Sequence, residues 1–332
     1  MRILIVLPGA LGDVVRALPL AGRLRRTHPT ATIGWVVEPL SLPLLADHPW
    51  IDRVHRLERR PRLAGLARAM REVRHAGYDV SLDLGRGLKS ALVARASGAA
   101  RRIGFARADG REGSWLFATE RVPAQGVTRP KLAQFLAFGE PLDARDGPIE
   151  FGLSPSPDEV ARARELLAGE TRPLVVACVG SSCASRLWWP PSTAAVLDAL
   201  HARAGTAGVV VGAAADGPFG DAVLTAARSP VRNLAGKTTL RELLAVLTQA
   251  RLAFGPDSGA LHLAAAAGVP VVSLWGATSA ERSAPFGSER FAIRGAAACS
   301  PCFLTRCPID RVCMQAIDAE RVVGTACEAL AA

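Results

Sequence analysis

The sequence predicts an α/β protein built as two doubly wound domains facing each other across a cleft. Three observations lead there. Short apolar runs alternate with helix-length segments, each run ends in a small-residue loop, and the whole plan begins afresh near residue 173. Strands that read as unbroken apolar runs are buried on both faces, the condition of a parallel sheet covered by helices.

Residues 2–7 form a β-branched apolar run stopped by Pro8-Gly9, and the segment 13–26 places Val14, Leu18 and Ala21 at helical spacing. The alternation continues with a strand at 32–37, a helix at 64–75, a strand at 79–84 and a helix at 88–96. A second series starts at 173–180, where Leu174-Val175-Val176-Ala177-Cys178-Val179 runs into Gly180. Strands then recur at 209–211, 251–254 and 270–275, with helical patterns between them. Ser154-Pro155-Ser156-Pro157 and the helix-like stretch after it mark a linker over 150–172, which places the domains at 1–155 and 172–332. Ligands of doubly wound sheets bind beyond the carboxyl ends of the strands, so the informative loops are 8–13, 180–189, 212–216, 255–259 and 276–282.

Composition narrows the classes further. A chain of 332 residues with 49% hydrophobic side chains has material for two cores, and its 31 glycines and 23 prolines follow no period, which excludes collagen-like and low-complexity readings. The net charge of +10 is unevenly placed: residues 1–150 hold 24 basic and 15 acidic side chains, and residues 151–332 hold 16 and 15. A field concentrated in the first half favours an anionic partner. The apolar start at Ile3 is too short for a signal peptide, so a cytoplasmic protein is expected. Residues 258–280 carry no formal charge, but Gly268-Val269-Pro270 divides them into a helix-length and a strand-length piece of a globular domain. Seven cysteines, an odd number without an export signal, argue against a disulfide framework.

The loop Pro8-Gly9-Ala10-Leu11-Gly12-Asp13 lacks G-x-G-x-x-G, which disfavours a dinucleotide site. Asp13 fits a helix first turn, and a carboxylate there is also placed to take a proton from a hydroxyl nucleophile. Arg16 can pair with it locally or meet an anionic substrate. Gly236-Lys237-Thr238 is no Walker motif, because Val231 stands where its first glycine belongs; Thr239 and Glu242 form a capping box instead. Ser258 is an N-cap candidate at the start of an apolar helix whose free N–H groups suit a diphosphate, and Asp257 beside it can accept from sugar hydroxyls. His262 alone reads as a core histidine. Cys299, Cys302, Cys307 and Cys313 include one C-x2-C pair with zinc spacing, but no second pair closes the site, so free thiols or a local disulfide are expected.

Taken together, these segments resemble the ADP-heptose:lipopolysaccharide heptosyltransferases, glycosyltransferase family 9, over nearly the whole chain. The resemblance rests on Gly12-Asp13, on Trp35-Val36-Val37-Glu38, and on Asp83-Leu84-Gly85-Arg86-Gly87-Leu88-Lys89-Ser90. It is most specific at Asp257-Ser258-Gly259-Ala260-Leu261-His262, continued through Val272 and Trp275-Gly276-Ala277-Thr278. It implies a GT-B fold of two Rossmann-like domains, an inverting transfer of heptose, ADP-heptose as donor and an anionic lipopolysaccharide core acceptor, either Kdo-lipid A or heptosyl-Kdo. Features of both the first-heptose and the second-heptose types are present. By the same resemblance Asp13 activates the acceptor, while Asp257, Gly259 and His262 bind the donor. The sequence departs from the family at two places. Leu187 stands where a Lys or Arg is usual, with Arg186 one position off and Trp188 looking like an insertion, and only Asp216 lies near the expected ribose-binding glutamate.

The chemistry then asks for a deprotonated acceptor hydroxyl and a stabilised leaving diphosphate. Asp13 is assigned to the first. Ser181, Ser182, Arg186 or Lys237, and the helix start at Ser258-Gly259 are assigned to the second, with neither metal nor cofactor called for. Arg16, Arg86 and Lys89 are expected to meet the acceptor, whose lipid anchor implies peripheral contact with the inner face of the inner membrane. Two other classes compete. A basic nucleic-acid-binding protein would use the charged half but has few aromatic residues, 5%, for base stacking. A non-catalytic relative would be organised around the cysteine cluster.

Overall fold

The computed structural model describes the chain from Met1 to Ala332, the side chain of Arg62 excepted. It separates into two compact units, Met1–Leu153 and Ser154–Ala332. The segment expected as a linker is not one throughout: the helix Pro157–Leu166 packs on the helix Leu240–Leu247 and belongs to the second unit. Arg241 reaches back from that second helix to Glu159 at 2.8 Å.

The first unit contains β1 (Arg2–Val6), β2 (Thr32–Val37), β3 (Arg53–Arg56), β4 (Val80–Asp83), β5 (Arg101–Gly104) and β6 (Glu120–Arg121), in the order β3-β2-β1-β4-β5-β6. The second contains β7 (Leu174–Cys178), β8 (Ala207–Val211), β9 (Val231–Asn233), β10 (Ala250–Pro256), β11 (Val271–Trp275) and β12 (Ala292–Arg294), in the order β12-β11-β10-β7-β8-β9. Every pairing is parallel. Counted from its own first strand, the second sheet repeats the first: both are doubly wound with order 3-2-1-4-5-6.

The apolar runs are the central strands, as the patterning requires. Ile3, Leu4, Ile5 and Val6 of β1, and Val175 and Val176 of β7, are wholly buried. Helices cover them, Leu11–Thr27 and Leu88–Ala96 among them in the first unit, Pro190–Ala204 and Ala319–Ala331 in the second. The stretch 258–280 resolves into the helix Gly259–Ala266 and β11, and no helix among the described residues is long and apolar enough to cross a membrane. Thr239 caps its helix as expected, with Glu242 N donating to its hydroxyl at 3.2 Å.

In this topology chain connections run to opposite sides from the first and fourth strands of each sheet, leaving a crevice at their carboxyl ends. In the first unit those strands are β1 and β4, paired in register so that Val6 stands beside Asp83. In the second they are β7 and β10, with Phe254 beside Ala177. Asp13 follows β1 and Asp257 follows β10, so the two principal carboxylates expected from sequence stand at the two switch points.

Candidate active site

In the first unit the helix Leu11–Thr27 begins directly after the β1 loop, and Asp13 occupies its first turn. Arg16 Nη2 donates to Asp13 Oδ1 at 2.5 Å, and Lys131 Nζ reaches Oδ1 and Oδ2 at 2.8 and 3.0 Å. Burial would push the Asp13 carboxyl up, but the Arg16 and Lys131 charges outweigh it and hold the group well below the usual carboxylate range. Asp13 is therefore ionised. Arg16, expected to meet the acceptor, is buried and pairs with Asp13. Lys131, the first residue of the helix Lys131–Leu136, escaped the sequence reading because no motif links it to a residue 118 positions away.

Beside this group a cavity of about 250 Å³ is lined by Gly9, Ala10, Glu38, Arg59, Lys89 and Ser90, among others. Glu38 accepts from Lys89 Nζ at 3.1 Å and from Arg59 Nε at 2.5 Å. Lys89 thus lines this cavity, and Arg86 is not among its lining residues. The Arg86 backbone has φ of 62°, its guanidinium donates to the Asp109 carbonyl at 3.0 Å and to the Gln134 side chain, and it stacks 4.0 Å over the Phe105 ring. A non-glycine residue in that region needs such anchoring, and the arginine fastens the loop after β4 rather than presenting a charge.

Asp83 is buried at the end of β4, where its Oδ1 accepts from Gly85 N at 3.0 Å. Burial pushes this carboxyl up to about 6, with Ser90 and the Gly85 N–H pulling the other way. Folding thus favours the protonated form, whose contribution is present below the ordinary carboxylate range and is lost as pH rises through about 6. Asp83→Asn should flatten that pH dependence and raise stability near pH 7 by about 1–3 kcal/mol. Denaturant melts on either side of the window check this, and an unchanged slope would contradict it.

In the second unit Gly255, at φ of 150°, lets β10 pass so close to β7 that a Cβ would overlap the Cys178 carbonyl. Asp257 follows two residues later and is the hub of the loop. Its Oδ2 accepts from Thr278 Oγ1 at 2.9 Å and from Arg186 Nη1 at 3.1 Å; His262 Nε2 stands 4.0 Å from Oδ1; and its carbonyl accepts from Ser181 Oγ at 3.0 Å. Arg186, one position off the expected place, thus meets Asp257. His262 is a buried side chain, as the plain reading held, and is also beside Asp257.

Ser258 occupies the N-cap position of the helix Gly259–Ala266, but its hydroxyl makes no capping bond. It is buried with no hydrogen-bond partner among the described residues, and the same holds for Arg186 Nε. Arg186 is tied to this loop through Asp257, and the Ser258 hydroxyl lies at the start of a helix that has no side-chain cap, where the first N–H groups lack intrahelical partners. Ser182 does not join them; it is exposed, with its hydroxyl 3.8 Å from Cys183 Sγ. Asp216 stands against the ends of β7 and β8, so close to Gly180 and Gly212 that a Cβ on either would meet its carboxyl, and it accepts from Ala213 N at 2.8 Å. Lys237 is exposed in the loop after β9. Trp188 is no loose insertion: it is buried in the core of the second unit, while Trp189 lies under the Arg311 guanidinium at 4.3 Å.

All seven cysteines are free thiols, and no group of three or more metal-ligating side chains is gathered among the described residues. The cysteine-bearing segment instead buttresses the 183–189 loop. Ser185 N and Oγ donate to the Thr305 and Leu304 carbonyls, and Arg311 Nη1 donates to the Leu187 carbonyl at 2.9 Å. The loop that presents Arg186 is thereby fixed from outside.

The fold defines the class: an α/β protein of two doubly wound parallel sheets, as in GT-B proteins. E. coli ADP-heptose lipopolysaccharide heptosyltransferase II superposes with a TM-score of 0.80 at 22% identity, covering 100% of this chain and 99% of that one. E. coli heptosyltransferase WaaC, solved with ADP-2-deoxy-2-fluoro heptose, gives 0.76 at 20%, covering 99% of each. The model of glycosyltransferase family 9 (heptosyltransferase) matches residues 66–313, and the chain belongs to that family. Among its relatives, lipooligosaccharide heptosyltransferase 2 of Haemophilus ducreyi is 29% identical over 89% of this chain and 88% of its own length. Lipopolysaccharide heptosyltransferase 1 of Pseudomonas aeruginosa is 27% identical over 92% and 87%.

Proposed function

We propose that this heptosyltransferase-family protein moves heptose from ADP-heptose to an anionic lipopolysaccharide core acceptor, Kdo-lipid A or heptosyl-Kdo, with inversion at the anomeric carbon. The observation that carries the reading is the second unit's helix start, where the Ser258 hydroxyl and Arg186 Nε are buried without partners beside open backbone N–H groups. A diphosphate supplies the acceptor oxygens such a set lacks. Asp257, flanked by Arg186 and Thr278, accepts from donor sugar hydroxyls, and Asp216 is assigned to the ribose.

Asp13 takes the proton of the acceptor hydroxyl as its oxygen bonds to the anomeric carbon. The bond to the diphosphate breaks with its electron pair leaving on ADP, and the helix start with Arg186 receives that charge. Inversion follows when the hydroxyl enters opposite the leaving group. The surplus charge of the first half suits a phosphorylated acceptor and, through its lipid, the inner face of a membrane. Nucleic acid is not an expected partner. Calorimetry with ADP-heptose and with RNA separates the readings, since RNA binding without ADP-heptose binding would overturn this one.

Because Arg86 is an internal anchor, the acceptor charge contribution is assigned to Lys89 and Arg59, whose side chains are 43% and 72% exposed. The KM for Kdo-lipid A should rise with ionic strength while donor KM responds less, since exposed charges are screened over about 8 Å at physiological salt. Lys89→Ala with Arg59→Ala should raise acceptor KM and flatten its salt dependence. Unchanged values in the double variant would remove both residues from the acceptor site.

A further inference from the structure

Asp13 has two cationic partners of different character. Arg16 lies one turn along the same helix, is 7% exposed and reaches Oδ1 at 2.5 Å, so the helix itself fixes that pair. Lys131 arrives from another part of the chain, at the start of a short helix behind Pro130, with 24% of its side chain exposed. An ammonium on a four-carbon stem is the mobile member of such a pair of contacts, and a guanidinium locked within a buried helix face is the static one. Both Asp13 oxygens are held by Lys131 in this arrangement. A carboxylate so neutralised is always ionised but accepts a proton poorly, so the contact that keeps it charged opposes its use as a base.

We propose that Lys131 is a positioning residue that masks Asp13 until the acceptor arrives: an anionic group of the acceptor draws the ammonium away and frees the carboxylate only where a hydroxyl is in place to use it. This rests on Asp13 being the base. The mask has a purpose in an enzyme holding an activated sugar. Without it, Asp13 would take a proton from water, the water oxygen would bond to the anomeric carbon, and ADP would leave with the electron pair of the broken bond, wasting the donor. The helix bearing Asp13 packs on the segments Lys131–Leu136 and Ala137–Leu142, whose ionisable side chains are Lys131 and Glu140.

The test uses the full-length protein with Lys131→Met and Lys131→Arg, the latter keeping the charge. In the acceptor-free protein, the Asp13 carboxyl followed by ¹³C NMR should titrate about 1–2 units higher in Lys131→Met and stay low in Lys131→Arg. ADP release from ADP-heptose without acceptor should rise about tenfold in Lys131→Met, remain near the parent rate in Lys131→Arg, and fall back when Asp13→Asn is added. The KM for Kdo-lipid A should rise about tenfold in Lys131→Met with donor KM unchanged. Should that variant not fold, Lys131→Gln carries the same expectations. An Asp13 titration that does not move, or one that moves while acceptor-free ADP release stays flat, overturns the masking role. Intact transfer in Asp13→Asn alone would instead sink the base assignment, a separately readable failure.

Discussion

Asp13→Asn is expected to lower heptosyl transfer by about 10²–10⁴-fold with donor affinity little changed. The substitution keeps the shape of the side chain and one acceptor oxygen for Arg16 and Lys131, but removes the only lone pairs basic enough to hold a proton. Because Asp13 lies in the first unit and the orphaned donors Ser258 and Arg186 lie in the second, chemistry and donor binding should separate cleanly. Single-turnover transfer and ADP-heptose calorimetry on the same preparation measure both. Near-parent turnover would mean that another group, or solvent, takes the proton. The pH profile carries a second signature. Arg16 and Lys131 hold Asp13 well below the usual range, so its protonation should not limit activity on the acid side until well below neutrality. Asp83, whose carboxyl burial pushes up to about 6, titrates in a different range, so an acid limb that persists in Asp83→Asn does not come from it.

The second large effect is expected at the helix start. Gly259→Val puts a branched side chain at the first residue of the helix, beside the Ser258 hydroxyl; with the proposed donor diphosphate at these N–H groups, ADP affinity should fall about 100-fold or more while the fold survives. Ser258→Ala refines the point. As an ordinary N-cap, Ser258 would cost about 1 kcal/mol of stability when truncated. Its hydroxyl makes no bond among the described residues, so stability should hold or rise slightly while ADP binding weakens about tenfold. Stability lost with ADP affinity intact would return Ser258 to a structural role.

How far the sequence alone reaches depends on the kind of information each feature carries. The central strands are legible because a strand buried on both faces must be an apolar run: 32–37 and the helix 88–96 coincide with the observed elements. β5 and the edge strands β9 and β12 read Arg-Arg-Ile-Gly, Val-Arg-Asn and Ala-Ile-Arg, too short and too polar to stand out from loops. Asp13 and Asp257 are legible because a strand end and a helix start announce them. Lys131 is not, since its partnership with Asp13 exists only after folding brings distant segments together. Arg86 meets Phe105, Asp109 and Gln134, partners that only folding brings to it, whereas the Arg16 pair with Asp13, three residues away on one helix, is one of the two readings its spacing offers. The cysteine segment, with its suggestive spacing, acts through backbone carbonyls that hold the Arg186 loop.

Product analysis shows whether the protein transfers heptose. The protein is incubated with ADP-heptose and Kdo-lipid A, and lipid and nucleotide are followed by mass spectrometry. The expected result is ADP release matched one for one by a heptose added to the acceptor with inverted anomeric configuration, and neither product from the Asp13→Asn protein. ADP-heptose left intact with both Kdo-lipid A and heptosyl-Kdo-lipid A present, by a folded protein, would contradict the account.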